Sequence, residues 1–369
     1  LELALSEDQE LFVETTRKLL AAEVPLPAVR QLESHEDGFD RAWWRRGCEL
    51  GWSSLLVPEA DGGGSLSEHG LLDLVLVAEE MGRLVSPGPL APVNLVAAAL
   101  GAWGTAAQRA AHLPALLAGD AVAAWTGPTP VPASRAGDGW TLDGSVGPVE
   151  AGAQATLLLV PVIEADGRVS QVLVPSDSQG VTITPLASLD LVRRFAEVRF
   201  DAAAVSATAL VGTEGDAGSE VEHLLRIACV VACAETCGAI DRVFEMTVEY
   251  LGDRYSFGRP LSSYQALKHR LADDKVALES CHATATAAAV AVATGAPDAG
   301  ELVSIAKAWV GPQATELIQD CVQLHGGIGI TWEHDLHLYL RRATVDRALW
   351  GTPEEHAERV AARLLDEAG

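Results

Sequence analysis

Three long helical patterns follow one another in the C-terminal half: Val221–Leu251, Leu261–Thr294 and Asp298–Gln323. Helices in such succession hide their apolar faces against one another, so this half is expected to form a bundle. Gly252 marks the end of the first. A shorter helix is expected over Asp335–Ala343, and another over Pro353–Leu365, where Pro353 suits a first turn whose N–H groups are unpaired anyway. The N-terminal third also reads as helical. Ser6 followed by Glu7, Asp8 and Gln9 is a helix start, and Leu11, Phe12, Leu19 and Leu20 recur at roughly helical spacing. A loop with Pro58 and Gly62–Gly64 interrupts. Helical patterns return over Ser67–Leu84, Val93–Leu100 and Thr105–Leu117. Trp43, Trp44 and Trp52 are expected to pack these helices.

The texture between the two helical parts is different. Pro128, Pro130 and Pro132 occupy alternate positions, and Gly137, Gly139, Gly144, Gly147 and Gly152 are expected to break the next stretch into short pieces. Leu157–Val162, Ser170–Val174, Val181–Pro185 and Ala196–Phe200 are apolar or alternating runs between turn residues, which is the signature of short strands. The chain therefore reads as helical over 1–119, β over 120–212 and helical over 213–369. No repeat of 20–50 residues is visible.

Charge narrows the function classes. The 369 residues carry 26 Lys and Arg against 51 Asp and Glu, a net charge of −25. Nucleic-acid binding needs clustered Lys and Arg to release counterions, and no such block is present. No uninterrupted apolar run reaches the roughly 18 residues of a membrane span. The leading residues lack the basic start and apolar middle of a secretory leader. The six cysteines include no C-x-x-C pair; Cys229, Cys233 and Cys237 step by four along one helix face and are expected to be reduced and packed. A cytoplasmic protein without a metal site is the expectation.

Two segments carry a family resemblance. One is Asp253-Arg-Tyr-Ser-Phe-Gly-Arg-Pro through Tyr264-Gln-Ala to Asp273; the other is Gln323-Leu-His-Gly-Gly-Ile-Gly through Arg342. Together they resemble the C-terminal domain of acyl-CoA dehydrogenases. The segment Phe39–Gly82, with Leu50-Gly-Trp and Pro58-Glu-Ala-Asp-Gly-Gly, resembles the N-terminal domain of that family. The resemblance implies a mainly α fold with a middle, barrel-like β domain and a C-terminal four-helix bundle that builds the oligomer. It implies an FAD enzyme in which a carboxylate takes the α-proton of an acyl-CoA thioester, flavin N5 accepts the β-hydride, and an electron-transfer flavoprotein reoxidises the flavin. It also implies that each FAD lies between subunits, its adenosine diphosphate end gripped by a neighbour's C-terminal domain. On that pattern Arg254, Ser256 and Phe257 of the RxxFG element, Gln265, the segment Gln323, Leu324, Gly326 and Gly327, and Thr352 would contact FAD. Arg254 suits the pyrophosphate because a guanidinium pairs two phosphate oxygens at once. Glycines let a backbone approach the cofactor.

The sequence departs from the family where proton abstraction should occur. The usual Glu-Gly-Thr element falls on Trp350-Gly-Thr, and Trp accepts no proton. The alternative base position, on the helix before the RxxFG element, falls near Ala228. Two flavin-facing elements are also altered. Trp125-Thr-Gly-Pro keeps Thr126 and Pro128 but loses an acid, and Pro148, Val149 and Glu150 replace the Trp-Ile-Thr whose Thr lies near flavin N5. A carboxylate there disfavours an anionic reduced flavin and bears a desolvation penalty.

The losses fall on the chain's own catalytic cleft, and the retained motifs face a neighbour's FAD. The resemblance is thus to the base-lacking subunit of actinobacterial two-subunit dehydrogenases of steroid-CoA side chains, partnered by a sister subunit that carries the Glu. Two alternatives stand: a self-sufficient dehydrogenase with a relocated base, for which Glu150, Glu235 and Glu333 are the candidates, or a flavin-free structural paralogue. His325, His334 and His337 cluster, but the family pattern accounts for that segment as interface. Arg341 and Arg342 are read as a basic pair near the end of a helix, and Ser134 lacks a nucleophile frame.

Overall fold

The computed structural model describes residues 5–368, so the leading residues 1–4 read above lie outside the described residues. Helix α1 (Glu7–Glu23) starts as its sequence dictates. Ser6 Oγ accepts from the backbone N–H of Gln9 at 3.2 Å, and the Gln9 side chain accepts from Ser6 N–H at 3.0 Å, with three acids in the first turn. Then come α2 (Leu26–Gln31), α3 (Arg41–Glu49), α4 (Gly70–Arg83), α5 (Leu90–Trp103) and α6 (Ala106–Leu117). Asp40 caps α3, and Thr105 with Gln108 forms a second reciprocal cap at α6. Trp43, Trp44 and Trp52 pack into one cluster with ring centroids 5.8–6.4 Å apart, and Trp52 Nε1 donates to Thr16 Oγ1.

The middle of the chain forms β1 (Ala123–Trp125), β2 (Val131–Ala136), β3 (Gly139–Glu150), β4 (Leu157–Ile163), β5 (Val169–Pro175), β6 (Val181–Leu186), β7 (Phe195–Val205) and β8 (Leu210–Val211). They make an eight-stranded mixed sheet in the order β6-β7-β3-β2-β4-β5-β8, with β1 paired in parallel to β4. The glycine-rich stretch differs from the expectation of short pieces. Gly139, Gly144 and Gly147 sit inside the single strand β3, whose pairing with β7 shifts register between Leu142 and Gly144 and again between Val146 and Val149. Glycine here permits bulges rather than ending the strand: Gly144 has φ +138°.

Helices α7 (Gly218–Asp253), α8 (Gln265–Ala293), α9 (Ala299–His325), α10 (Leu336–Ala348) and α11 (Pro353–Ala368) follow. A two-stranded hairpin, β9 (Tyr255–Ser256) and β10 (Arg259–Pro260), joins α7 to α8. By length and composition alone α7 and α8 could cross a bilayer, although neither is an uninterrupted apolar run. The most apolar stretch of α7 is 89% buried among its neighbours, as the central helix of a bundle requires, and that of α8 is 39% buried.

Helix α4 crosses α7 at two facing glycines. A methyl group on Gly82 would press into the carbonyl of Glu235, and one on Gly238 into the carbonyl of Glu79. The crossing thus brings the N-terminal helices onto the bundle at backbone contact, and it carries an acid on each helix. Glycine-to-alanine inside a helix ordinarily gains about 1 kcal/mol. Gly238→Ala is expected to lose about 1–3 kcal/mol instead, through overpacking at the crossing. Denaturant unfolding checks the sign: a more stable variant would contradict the close approach.

Candidate functional site

Both positions where the family resemblance would put a base converge. Ala228 is fully buried on α7, and the next residue, Cys229, directs its Sγ to the carbonyl of Trp350 at 3.8 Å. No acid stands at either position. The Trp350 ring stacks on Trp125 with centroids 5.5 Å apart and an interplanar angle of 26°. Trp125 belongs to the element read as flavin-facing, so the two indoles bridge the β domain and the bundle. Trp350 holds a left-handed backbone (φ +65°), rare for a bulky residue. Its carbonyl accepts from His356 Nε2 at 3.1 Å, and His356 Nδ1 faces Ser304 Oγ at 3.3 Å. Burial drives His356 down to about 4, so the ring stays neutral with its proton on Nε2. Buried Lys307 donates to the carbonyls of Asp346 and Leu349, both at 2.7 Å, and so caps the end of α10. Thr352 is engaged locally: its hydroxyl accepts from Glu355 N–H at 3.2 Å, while its own N–H donates to the Glu355 carboxylate at 2.8 Å.

Beside this stack lies a buried cluster of four carboxylates and two guanidiniums. Arg342 pairs with Asp190 and Glu235; Arg193 pairs with Glu235 and Asp346, and with Glu150 at 3.0 Å. The Thr236 hydroxyl donates to Asp346 at 3.3 Å, and Arg342 also donates to the carbonyl of Ser86 at 3.2 Å. These groups come from β3, the 187–194 connection, the turn between α4 and α5, α7 and α10. Burial pushes Asp346 up to about 7 against the pull of Arg193, and pushes Glu150 up likewise. Asp190 would also rise on burial, but the Arg342 guanidinium and two backbone N–H groups bring it down to about 2. Two guanidiniums stand against four acids, so the cluster holds more negative groups than positive ones.

This arrangement corrects one expectation and settles the place of three candidates. Arg342 is not a charge at a helix end: it lies in the middle of α10, 1% exposed, at the centre of the cluster. Glu150 and Glu235 are locked in ion pairs rather than poised over a substrate, although Glu150 Oε2 has no partner. Glu333 is exposed, near the far end of α9. The cavity beside Glu150 and Arg193 measures about 20 Å³, room for about one water. An isoalloxazine ring does not fit there.

The other candidate residues gather at the opposite end of the bundle. Along α7, Asp253 is 25 residues from Ala228, roughly 38 Å. The Tyr250 hydroxyl donates to the carbonyl of His325 at 3.2 Å, which ties the end of α7 to the end of α9, and Arg270 of α8 pairs with Asp320 of α9. Arg254, Ser256, Phe257, Gln265, Gln323, Leu324, Gly326 and Gly327 therefore share one end. Thr352 does not: the Lys307 contact places its segment about 16 residues back along α9, roughly 24 Å from Gln323. Arg254 has no side-chain hydrogen bond or ion pair among the described residues, and Phe257 is 97% exposed with φ +51°. Gly326 takes φ +65°, but Gly327 and Gly258 have nothing within 4 Å of where a Cβ would stand. Packing within this chain does not require Gly327 to lack a side chain. His325 stacks on Tyr250 and bonds the Cys321 carbonyl; among the described residues no group of three His, Cys, Asp or Glu is arranged for a metal. The six cysteines are buried and unpaired, with burial pushing Cys229 up to about 12 and Cys233 to about 11.

Arg193, Asp190 and Asp346 were not anticipated, since nothing local marks them. The Thr352 cap was legible as Thr-x-x-Glu.

Comparisons with known proteins agree on the whole length of the chain. The family model for the acyl-CoA dehydrogenase N-terminal domain matches residues 6–120, and that for the C-terminal domain matches 219–365. "Acyl-CoA dehydrogenase IpdE2" of Mycobacterium tuberculosis is 30% identical, over 98% of each chain. A chain of the ChsE4-ChsE5 complex of M. tuberculosis superposes with a TM-score of 0.89 at 26% identity, covering 99% of both chains. A chain of a Tcur3481-Tcur3483 steroid ACAD variant superposes with 0.88 at 26%, covering 98% and 99%.

Two measurements test the cluster. Arg342→Leu leaves Asp190 and Glu235 buried and short of a partner, and is expected to cost about 3–5 kcal/mol in denaturant unfolding. Asp346 carries a folded value near 7 against an ordinary 3.8, so the folded chain holds the extra proton between about pH 4 and 7 and loses this stabilisation as pH rises through that window. Asp346→Asn removes the slope, so the stability of the variant relative to the parent should rise from about pH 5 to 8. A pH-independent difference would contradict it.

Proposed function

The chain belongs to the acyl-CoA dehydrogenase family, and from that premise we propose that it is the non-catalytic subunit of a heteromeric, FAD-dependent acyl-CoA dehydrogenase. The observation that carries the reading is the division along α7. At the Ala228 end two stacked indoles and a buried charge cluster stand where a base and its surroundings would be, while the Arg254 end is exposed, with no side-chain partner for Arg254 among the described residues. FAD, when bound in the assembly, supplies the hydride acceptor for α,β-dehydrogenation. In the proposed arrangement this chain's share is binding. Arg254 pairs with the pyrophosphate, Phe257 packs at the adenine end, and Gly326 and Gly327 admit the nucleotide against the backbone, with Ser256, Gln265, Gln323 and Leu324 around them. Thr352 is released from that role, because it caps α11 away from this end.

A sister subunit would carry the glutamate base and hold the isoalloxazine, and an electron-transfer flavoprotein would take the electrons. Solved relatives that are themselves two-component complexes support the heteromer, and one of them, a steroid ACAD, supports a steroid side-chain CoA as the substrate. On this reading residues 1–119, 120–212 and 213–369 act as three modules of a cytoplasmic protein, of which the last makes the shared cofactor site. The ion pairs of Glu150 and Glu235 and the exposure of Glu333 argue against a relocated base.

Flavin content tests the proposal. The chain purified alone should lack stoichiometric flavin, whereas co-expression with its sister dehydrogenase chain should give a yellow assembly. Arg254→Ala in that assembly should weaken FAD binding roughly tenfold or more. A homo-oligomer of this chain with one FAD per subunit and acyl-CoA turnover would overturn the reading, and an assembly with no flavin at all would favour a structural paralogue.

A further inference from the structure

The turn that carries Phe257 is held against a backbone cost. Ser256 pairs with Arg259 across β9 and β10, so Phe257 and Gly258 form a two-residue hairpin loop, and both have positive φ, +51° and +79°. That loop geometry matches the twist of the flanking strands. Glycine takes it freely, and a bulky aromatic does not. The Phe257 ring is exposed, so packing within this chain does not offset the strain. The surrounding structure has to hold it. Tyr264, the residue before α8, does so. Its hydroxyl donates to the carbonyl of Ser256 at 2.8 Å, and the Arg259 guanidinium lies 3.8 Å from the centre of its ring. Ser256 and Arg259 are the two residues that flank the loop. At the base of the hairpin, Leu261 N–H donates to the Arg254 carbonyl at 2.8 Å.

The glycine segment after α9 is held in the same way. The Tyr250 hydroxyl donates to the carbonyl of His325, and the two rings stack with centroids 4.4 Å apart and an interplanar angle of 20°. His325 is buried, its Nδ1 donates to the Cys321 carbonyl at 2.8 Å, and burial lowers its pKa, which favours the neutral ring. The His325 carbonyl belongs to the peptide group that leads into Gly326, where α9 ends at φ +65°. A hydroxyl on that carbonyl fixes the plane from which the glycine segment departs. Two tyrosine hydroxyls thus act on the two backbone segments assigned to FAD in the proposed function. Resting on that assignment, we propose that Tyr264 and Tyr250 are positioning residues of the shared cofactor site. Tyr264 holds the Phe257 turn and Tyr250 holds the Gly326 turn, each through one hydrogen bond to a main-chain carbonyl. The nucleotide then meets a surface already in its binding shape, and less affinity is lost to ordering it. Neither tyrosine needs to touch FAD.

The test is titration of FAD into the flavin-stripped assembly of this chain with its sister dehydrogenase chain, followed by flavin fluorescence. Tyr264→Phe and Tyr250→Phe keep the rings, and with them the Arg259 and His325 contacts, and remove only the hydroxyls. Each should weaken FAD binding about threefold to tenfold. The double variant should come close to the product of the two, since they act on separate segments. The melting temperature of each FAD-free variant assembly should stay within about 2 °C of the parent. Unchanged FAD affinity in either single variant, with Arg254→Ala still weakening it, would overturn the proposal and leave the proposed function standing. So would a weakened affinity that comes only with a larger fall in melting temperature, which marks a general loss of structure. If Arg254→Ala binds FAD as the parent does, the assignment of this end to the nucleotide fails, and the role of the tyrosines fails with it.

Discussion

The pairing of Arg342 with Asp190 and Glu235 is the contact on which the rest of the architecture turns. One guanidinium with 1% of its surface exposed reaches the β domain through Asp190, the central helix through Glu235 and the N-terminal helices through the carbonyl of Ser86. Arg193 repeats the pattern one layer over, with Glu150, Glu235 and Asp346. Apolar packing between three modules is tolerant of small sliding. A forked donor that must meet carboxylates from separate elements is not, so the cluster fixes how the modules sit together. On the proposed reading, the arrangement that joins the modules is also the one that leaves this chain without a catalytic cleft of its own.

A long helix separates the two ends of the molecule's chemistry. Helix α7 carries Ala228 and Glu235 in the closed half and leads directly into Arg254 and Phe257 in the open half. Since the helix is buried for most of its length, neither end shifts without disturbing the core. Its tight crossing with α4 adds a fixed point between them. On the proposed reading this rigid spacing has a use: an end that meets a neighbour's cofactor must keep its geometry without help from a ligand of its own.

Much of this was readable from the residues. Helix starts at Ser6 and Thr105 and the long runs of the bundle follow from local rules of capping and periodicity, and they appear where those rules put them. The exposed Arg254–Phe257 turn, Trp350 and Ala228 were reached by counting along family motifs, which works because the spacing inside one helix or loop is fixed. What escaped was non-local. Arg193, Asp190 and Asp346 are unremarkable in their own segments and become a cluster only when the 187–194 connection, α7 and α10 meet. Arg342 reads as a helix-end charge when the helix is ended at Ala343, whereas α10 continues to Ala348 and leaves it mid-helix. Gly144 and Gly147 read as breaks because a bulged strand and a broken one share the same composition; pairing with β7 decides between them.

The left-handed backbone at Trp350 bears on how such a chain could change over generations. Its carbonyl is held by His356, the preceding helix is capped by Lys307, and its indole leans on Trp125. A glutamate introduced at that one position would abandon the indole contact. It would also add a charge one turn from Asp346, beside a cluster that already holds more acids than bases. If the proposed division of labour holds, exchanging Trp350 for an acid is therefore not enough to make the subunit self-sufficient, because the stacked indole and the charge cluster would have to be rebuilt with it.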